Sequence, residues 1–332
     1  MRGVGSRSDK AAPLAAVIGI AWPRLVLSGG AMRIGVDLGG SKIEVIALAD
    51  DGTTRLRRRA ATPAADYLVI IDAVAEMVAL AEREIGTKAT VGIASPGAES
   101  KATGLIKNSN STVLNGRPLR RDLARKLDRE IRIQNDANCF ALSEAVDGAA
   151  AGARVVFGVI LGTGVGGGLV VDKEVLVGRN RIAGEWGHNP LPWPDDGERV
   201  SAGCYCGKTG CIEYFLSGPG LARSYRAATD NDISAQAVVA RAASGERAAG
   251  DCMRIYQDRL ARALAMVVNL LDPDIIVLGG GLSNVTGLYS ALPALIARYA
   301  FSDTIDTPIV RALHGDSSGV RGAAWLWPPD SA

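Results

Sequence analysis

The chain is poor in histidine, aromatic residues and net charge. Its 332 residues include only two histidines and 5% aromatic residues, and 37 basic residues nearly balance 35 acidic ones, leaving a net charge of +2. A charge so close to zero gives no electrostatic reason to expect a nucleic acid or an anionic membrane as partner. The one basic cluster, residues 55–59 (RLRRR), lies among apolar segments. We therefore expect it to form a solvated edge of the fold rather than a binding patch.

Long apolar runs are also scarce, and the one candidate lies at the N-terminus. Residues 1–31 begin with a segment that carries three basic residues, Arg2, Arg7 and Lys10, and continue with an apolar run at 11–22, an order that resembles a secretory signal. Pro13 and Pro23 interrupt this region, and the run is too short to span a bilayer. We therefore expect residues 1–31 to be a disordered or mis-started extension and not a cleaved signal.

Cysteine is limited to five residues, an odd number that argues against a disulfide framework. Cys204, Cys206 and Cys211 nevertheless lie close together, and His188 precedes them. Three thiolates and an imidazole form the closed ligand set that is typical of structural zinc, so we predict a zinc clamp that is not itself the catalyst. The alternatives are three reduced surface cysteines or a disulfide, although Cys204 and Cys206 are too close in sequence to pair easily.

Strands and helices alternate from Met32 onwards, which predicts a layered α/β fold. A hairpin closed by glycines at 34–48 is followed by a similar pattern at 155–171, so the chain looks like two related halves. Its length also suits about two domains. We predict an N-terminal lobe at 32–147, a C-terminal lobe at 148–319, and a C-terminal helix within 320–332 that packs back on the N-terminal lobe.

Three glycine-rich turns at strand ends are candidate phosphate sites. Without Cβ atoms the backbone can approach a polyphosphate closely, and successive N–H groups favour anions. Plain turns are the alternative for each one, and none matches a P-loop or a dinucleotide fingerprint. A carboxylate at the first turn, Asp37, suits Mg²⁺ or its water shell. The predicted nucleotide contacts are Asp37, Gly39, Gly40, Ser41, Lys42, Gly162, Thr163, Gly164, Gly279, Gly280 and Gly281.

Asp136 is the strongest candidate for chemistry. It follows a predicted strand at 131–134, precedes a helix, and is flanked by Asn135 and Asn138. Phosphoryl transfer to a hydroxyl requires a residue that accepts the proton and orients the oxygen, and a carboxylate at a strand end can do this. The alternative is an aspartate that caps the N-terminus of the following helix.

Four of these motifs together resemble the ROK family (repressor, open reading frame, kinase). The motifs are residues 37–42 (DLGGSK), 135–138 (NDAN), 161–168 (LGTGVGGG) and the cluster from Glu185 to Glu213. Their order and spacing match the family from Met32 onwards. Residues 107–112 (KNSNST), 186–193 (WGHNPLPW) and 314–322 (HGDSSGVRG) most resemble bacterial fructokinases of the manno(fructo)kinase type, with N-acetylglucosamine kinases as the next neighbours.

The resemblance implies a two-lobed, actin-like ATPase fold of the ribonuclease H-like class, in which a sugar and MgATP meet in a cleft. Asp136 then occupies the position of the catalytic base. The sugar-contacting positions are Gly97, Asn110, Asn135, Asp136, Glu185, His188 and Glu213. His188 would bind zinc through one ring nitrogen and the sugar through the other.

The expected function is transfer of the γ-phosphoryl group of MgATP to a hexose, with D-fructose O6 as the first expectation. N-acetylglucosamine, mannose and glucose are the alternatives. Two departures from the family pattern bear on this: Ser41 replaces the usual Thr, and Val113 and Leu114 stand where an aromatic residue is common. The resemblance also implies a homodimer. A cytoplasmic location is expected, because the enzyme needs ATP and reduced thiols. A repressor is the other class within the family, but repressors carry a helix-turn-helix domain ahead of this region.

Overall fold

The computed structural model describes residues 32–63, 66–199 and 203–328, so the predicted extension at 1–31 lies outside the described residues. Two five-stranded sheets form the framework, and both have the same pattern: a central strand pairs with an antiparallel meander on one side and with two parallel strands on the other. This shared topology agrees with the two related halves that the repeated hairpin pattern indicated.

The first sheet has the order β3-β2-β1-β4-β7. Its strands are β1 (Met32–Leu38), β2 (Lys42–Ala49), β3 (Thr54–Ala61), β4 (Thr90–Ser95) and β7 (Ile131–Asn135). A short hairpin of β5 (Ala98–Glu99) and β6 (Ile106–Lys107) follows β4.

The second sheet has the order β10-β9-β8-β11-β12. Its strands are β8 (Val155–Leu161), β9 (Val165–Val171), β10 (Glu174–Val175), β11 (Ile275–Gly279) and β12 (Ile309–Arg311). The two sheets therefore lie on either side of residue 148 in the sequence.

Ten α-helices cover the sheets in the described ranges. They are α1 (Tyr67–Ile85), α2 (Leu119–Leu127), α3 (Asp136–Asp147), α4 (Asp196–Arg199), α5 (Ile212–Leu216), α6 (Gly218–Thr229), α7 (Ala235–Ala243), α8 (Arg247–Leu271), α9 (Gly287–Ile296) and α10 (Ser318–Trp325). None of the described helices is both long and apolar enough to cross a membrane.

Helix α1 shows how local sequence sets these boundaries. Asp66 caps its N-terminus by accepting a hydrogen bond from Leu68 N, and Gly86 ends it in the left-handed region at φ 75°. Between the caps, Ile70, Val74 and other aliphatic residues at helical spacing are buried against the first sheet. Burying each such side chain is worth about 1.5–3 kcal/mol, which holds the helix in place.

Helices α3 and α10 pack on the sheets of the opposite halves. Helix α3 contacts β8 and β9 of the second sheet, whereas α10 contacts β1 and β4 of the first sheet, and the two helices also pack against each other. The approach is close: a Cβ atom at Gly92 would lie 1.8 Å from the Ala323 carbonyl oxygen, and one at Gly322 would lie 1.7 Å from that of Cys139. Glycine is therefore required where α10 crosses the sheet and α3.

The second glycine-rich segment differs from the predicted turn over Gly162–Gly168. Only residues 162–164 form the turn, because β9 already begins at Val165 and includes the following glycines. The physical reason is packing against α3: a Cβ atom at Gly168 would lie 2.5 Å from Ala137 O. Gly166 and Gly168 therefore let the helix approach the strand, Gly167 lies against Trp186, and none of the three is free to cradle a phosphate.

The basic cluster at 55–59 forms part of edge strand β3, as expected of a solvated edge. Arg57 and Arg59 each bind Glu44 of the neighbouring strand at 2.6 Å. Glu44 is almost completely buried, at 1% exposure, so the two guanidinium groups supply the charge that its burial requires. Arg57 and Arg59 thus each form an ion pair with a buried carboxylate.

Candidate functional site

Asp136 lies where β7 ends and α3 begins. The N-cap of the helix is Asn135, whose Oδ1 accepts a hydrogen bond from Ala137 N at 2.9 Å. Asp136 Oδ1 accepts from the same N–H at 2.8 Å. Because Asn135 already performs the capping role, Asp136 is not needed as the cap, and its second carboxylate oxygen remains available to the cleft.

Two carboxylates in this region have raised pKa values. The pKa of Asp136 is raised mainly because the surrounding protein disfavours its charged form, with Glu185 adding repulsion. Its side chain is nevertheless exposed to solvent. Burial raises the pKa of Asp37 to about 6, with further repulsion from Asp136 and Glu44. A bound cation would relieve the repulsion between Asp37 and its neighbours Asp136 and Glu44.

A cavity of about 40 Å³ opens beside Asn135 and is also lined by Gly97 and Glu185, so three of the predicted sugar-contacting residues meet there. Gly97 adopts φ +79°, and a Cβ atom at this position would lie 2.5 Å from Lys107 O. Asn135 Nδ2 donates to Gly97 O at 3.2 Å, which joins β7 to the β5–β6 hairpin. Asn110 is exposed on the loop after β6 and does not line this cavity.

The remaining predicted sugar contacts form a second group. Glu213 Oε2 accepts a hydrogen bond from Val165 N at 2.9 Å, directly behind the second glycine turn. His188 Nε2, which was predicted to contact the sugar, lies 3.0 Å from the Tyr205 hydroxyl. Tyr205 is 80% exposed, so a sugar hydroxyl could replace it at little cost.

The predicted metal ligands converge. The ligand atoms of His188, Cys204, Cys206 and Cys211 all lie within 4.8 Å of one another. Cys206 Sγ is 3.6 Å from Cys211 Sγ, and Cys204 Sγ is 3.7 Å from His188 Nδ1. Zinc–ligand bonds of about 2.0–2.3 Å in a tetrahedron place neighbouring ligand atoms roughly 3.5–3.8 Å apart. The donor set and its spacing therefore fit zinc.

A larger cavity of about 850 Å³ lies in the second half, within the range of small-molecule sites. The turn after β8 contributes Gly162 and Thr163, and Gly281 lies at the opposite side. Gly162 O accepts a hydrogen bond from Gly218 N at 2.7 Å, which places the turn against the N-terminus of α6. The cavity combines apolar walls with a helix N-terminus, as a nucleotide requires.

The first and third glycine turns differ in how far their residues are exposed. In the first, Gly39 N donates to Lys42 O at 3.0 Å, closing a tight hairpin in which Gly40 and Ser41 are exposed. In the third, Gly279 belongs to β11, and a Cβ atom there would lie 2.4 Å from the Phe140 ring. Of the three glycines in this turn, only Gly281 lines the large cavity. Gly279 packs against Phe140 and does not line it.

Sequence reasoning missed several residues that line the cavities. Near the large cavity these include Pro219, Gln236 and Asn284, and near the small one Glu99 and Arg181. The segment 217–220 (SGPG) carries a helix-start signal, a serine cap followed by proline, that could have located α6. No local signal pairs Arg181 with Glu99, since their 2.9 Å ion pair joins residues 82 positions apart.

Comparison with known proteins agrees with this geometry. A model of the ROK family matches residues 33–329. The N-acetyl-D-glucosamine kinase of Photobacterium profundum is 42% identical over 299 residues, covering 89% of this chain and 99% of the relative. The enzyme of the same name from Salmonella heidelberg is 41% identical over 303 residues, again covering 89% and 99%. These names do not support the expected resemblance to fructokinases and favour the stated alternative.

Solved structures give the same fold. A ROK hexokinase from Thermus thermophilus has a TM-score of 0.79 and 31% identity, covering 88% of this chain and 96% of that one. A ROK-family glucokinase from Streptomyces griseus, solved in complex with glucose and AMPPNP, has a TM-score of 0.71 and 26% identity, covering 89% and 99%. The predicted actin-like α/β fold is thus confirmed, and the chain belongs to the ROK family.

Proposed function

We propose that this protein is an ATP-dependent N-acetyl-D-glucosamine kinase that transfers the γ-phosphoryl group of MgATP to the O6 hydroxyl of the sugar. The family match and the relatives support the broader statement, a ROK-family sugar kinase that uses ATP. The relatives at 41–42% identity support the choice of sugar. The observation that carries the proposal is that Asp136 directly follows Asn135, which lines the small cavity and takes the capping role of the helix.

Asp136 acts as the general base. It accepts the proton of the sugar hydroxyl as that oxygen attacks the γ-phosphorus, and the bond to the β-phosphate oxygen breaks to release ADP. The pKa of Asp136 is raised towards the pH at which the enzyme works. A base with such a pKa binds a proton more strongly than an ordinary carboxylate does. Asn135 orients the sugar through its fixed amide.

Asp37 supports the phosphates through a magnesium ion. Burial raises its pKa to about 6, and repulsion from Asp136 and Glu44 adds to this shift; a divalent cation would relieve the repulsion. Magnesium bound here through the carboxylate or its water shell would neutralise charge on the transferred phosphoryl group. The turns at Gly39–Lys42 and Gly162–Gly164 then contact the phosphates, and the large cavity receives the adenosine.

The cysteine cluster holds a structural zinc ion. His188, Cys204, Cys206 and Cys211 supply four ligands, so the ion is closed to substrate and fixes the loop that carries them. Helix α5 follows Cys211 directly and carries Glu213, which means that this loop positions one wall of the sugar site. A homodimer, expected from the family resemblance, is a further part of the proposal and can be tested by light scattering in solution.

A coupled assay of ADP release tests the function. N-acetylglucosamine, fructose, mannose and glucose are each titrated with saturating MgATP, and we expect the highest kcat/KM for N-acetylglucosamine. Fructose as the best substrate would restore the first expectation from the sequence. Absence of turnover with every sugar would contradict the kinase assignment. An Asp303→Asn variant, altered at an exposed aspartate far along the chain, serves as the matched control for substitutions of Asp136.

A further inference from the structure

Asn138, which lines the small cavity beside Asn135, has a buried side-chain oxygen that lacks a partner. Asn138 is only 7% exposed, and its Oδ1 atom is one of four buried side-chain polar atoms without a hydrogen bond in the described ranges. Such an atom costs about 1–3 kcal/mol unless something pairs with it. Because Asn138 lines the cavity, a ligand in the cavity can supply the missing donor.

The orientation of this amide follows from its neighbours. The backbone N–H of Asn135 donates to the Gln134 side chain at 3.2 Å, so the Gln134 atom at that position must be oxygen. Asn138 approaches the same oxygen at 3.1 Å and must therefore present its NH₂ group there. The Asn138 oxygen consequently points elsewhere and acts only as an acceptor. It matches a ligand N–H rather than a ligand carbonyl.

The size and the other walls of the cavity suit a short amide. A water-sized group needs about 10–15 Å³ of such space, so about 40 Å³ holds three or four of them. Apolar side chains of Ile133, Val177 and Ala183 line part of the wall, where a methyl group is favoured over water. Gly97 and Glu185 connect the cavity to the proposed sugar site.

We propose that this cavity is the subsite for the 2-acetamido group of the sugar. The amide N–H donates to Asn138 Oδ1, and the acetyl methyl contacts Val177 and Ala183. This inference rests on the proposed function, and it names the residues that distinguish an N-acetylated hexose from a plain one. Asn138 and the two apolar residues are thereby specificity-determining, whereas Asp136 serves either sugar.

Part of the subsite comes from the second half of the chain. Val177 and Ala183 lie on the segment after β10, and Arg181 of this segment binds Glu99 of the first half at 2.9 Å. Glu99 is also held by Arg120 at 2.8 Å. Two arginines therefore fix one nearly buried carboxylate beside the cavity, and the ion pair of Arg181 fixes the segment that carries Val177 and Ala183.

Three variants on this segment test the subsite without touching α3 or the base. Ala183→Leu fills the cavity, and Val177→Ala enlarges it. Leu176→Ala is the matched control, because Leu176 is 46% exposed and does not line the cavity. For each purified variant, kcat/KM is measured with N-acetylglucosamine, and glucose is titrated as a competitor to obtain its inhibition constant. N-propionylglucosamine is assayed in parallel.

We expect Ala183→Leu to lower kcat/KM for N-acetylglucosamine by about 10- to 200-fold, the range for blocked methylenes, while the inhibition constant of glucose changes less than about twofold. Val177→Ala should raise the ratio of N-propionyl to N-acetyl turnover by about tenfold. Leu176→Ala should change neither quantity. The subsite is wrong if Ala183→Leu leaves kcat/KM for N-acetylglucosamine unchanged. It is also wrong if the substitution weakens the binding of N-acetylglucosamine and of glucose equally.

The two proposals fail in different ways. If the unmodified protein phosphorylates N-acetylglucosamine but Ala183→Leu does not alter its selectivity, the subsite is wrong and the proposed function stands. If the unmodified protein prefers another hexose and does not turn over N-acetylglucosamine, the proposed function is wrong and the subsite falls with it.

Discussion

Replacing Asp37 by Asn should stabilise the protein at neutral pH while impairing its activity. In the folded state the pKa of Asp37 is raised from 3.8 to about 6, chiefly because burial disfavours the charge. At about 1.36 kcal/mol per pKa unit, this difference corresponds to roughly 3 kcal/mol. The side chain is partly open to the cleft, so screening by solvent reduces the expected effect to on the order of 2 kcal/mol.

The sign follows from proton linkage. The folded state binds the proton more tightly than the unfolded state, so the free energy of unfolding falls as the pH rises from about 4 to about 6 and stays lower above that. Asp37→Asn removes the ionisation. The variant should therefore exceed the unmodified protein in stability at pH 7.5, and the difference should disappear near pH 4.

Urea denaturation at pH 4, 5, 6 and 7.5, in the absence of nucleotide, measures this difference directly. Asp303→Asn, at an exposed site, is the matched control and should show no pH-dependent difference. Activity gives the second readout, because loss of a magnesium-orienting carboxylate should lower kcat by roughly 10²-fold. A variant that is less stable at pH 7.5, or whose stability difference is the same at every pH, would refute the reasoning.

Three further predictions concern the proposed site. Asp136→Asn should lower kcat by about 10²- to 10⁴-fold while the dissociation constant of the sugar, measured by calorimetry, changes little; near-normal turnover would exclude Asp136 as the base. Cys206→Ser should lower the zinc content from about one ion per chain, as measured by elemental mass spectrometry, and should raise KM for the sugar. The control Cys252→Ser, at a buried cysteine outside the cluster, should retain the metal. An unmodified protein without zinc would contradict the clamp. Gly97→Ala should destabilise the protein by about 1–3 kcal/mol in urea denaturation and raise KM for the sugar, because its Cβ atom would lie 2.5 Å from Lys107 O. Gly104→Ala is its control, since Gly104 has φ +68° with no atom within 4 Å of the added carbon; equal effects of the two substitutions would show that the clash is unimportant.

Features encoded by short segments could be predicted from the sequence. The hairpin at β1 and β2, the cysteine cluster and the strand end at Asn135 each depend on residues that are close in the chain, so spacing alone locates them. The resemblance to the ROK family then gave the fold and the class of reaction. The choice of fructose was not supported, since the relatives at 41–42% identity are N-acetyl-D-glucosamine kinases. Motif residues such as Asn135, Asn138 and Glu185 do line the small cavity, but the motifs do not show which side chains from elsewhere in the chain complete its walls.

Features that depend on distant contacts could not be predicted. Gly166, Gly167 and Gly168 belong to strand β9, where α3 packs on Gly166 and Gly168 and Trp186 packs on Gly167, and these contacts cannot be inferred from a glycine run. The Arg181–Glu99 ion pair joins the two halves, and neither residue has a local signal for the other. The Asn138 oxygen lacks a partner because the amide NH₂ group of Asn138 donates to Gln134, which also accepts from the Asn135 backbone. These hydrogen bonds can be identified only in the three-dimensional structure.

The exchange of α3 and α10 between the halves also bears on the order in which the protein can fold during synthesis. The first sheet is complete in sequence by Asn135, yet the helix that covers Gly35 and Gly92 is the last one described. A nascent chain must therefore hold this sheet with one face uncovered while nearly two hundred further residues are translated. Contacts so distant in sequence slow folding and leave apolar surface open to misassociation, so we expect the N-terminal half to depend on chaperones until α10 docks.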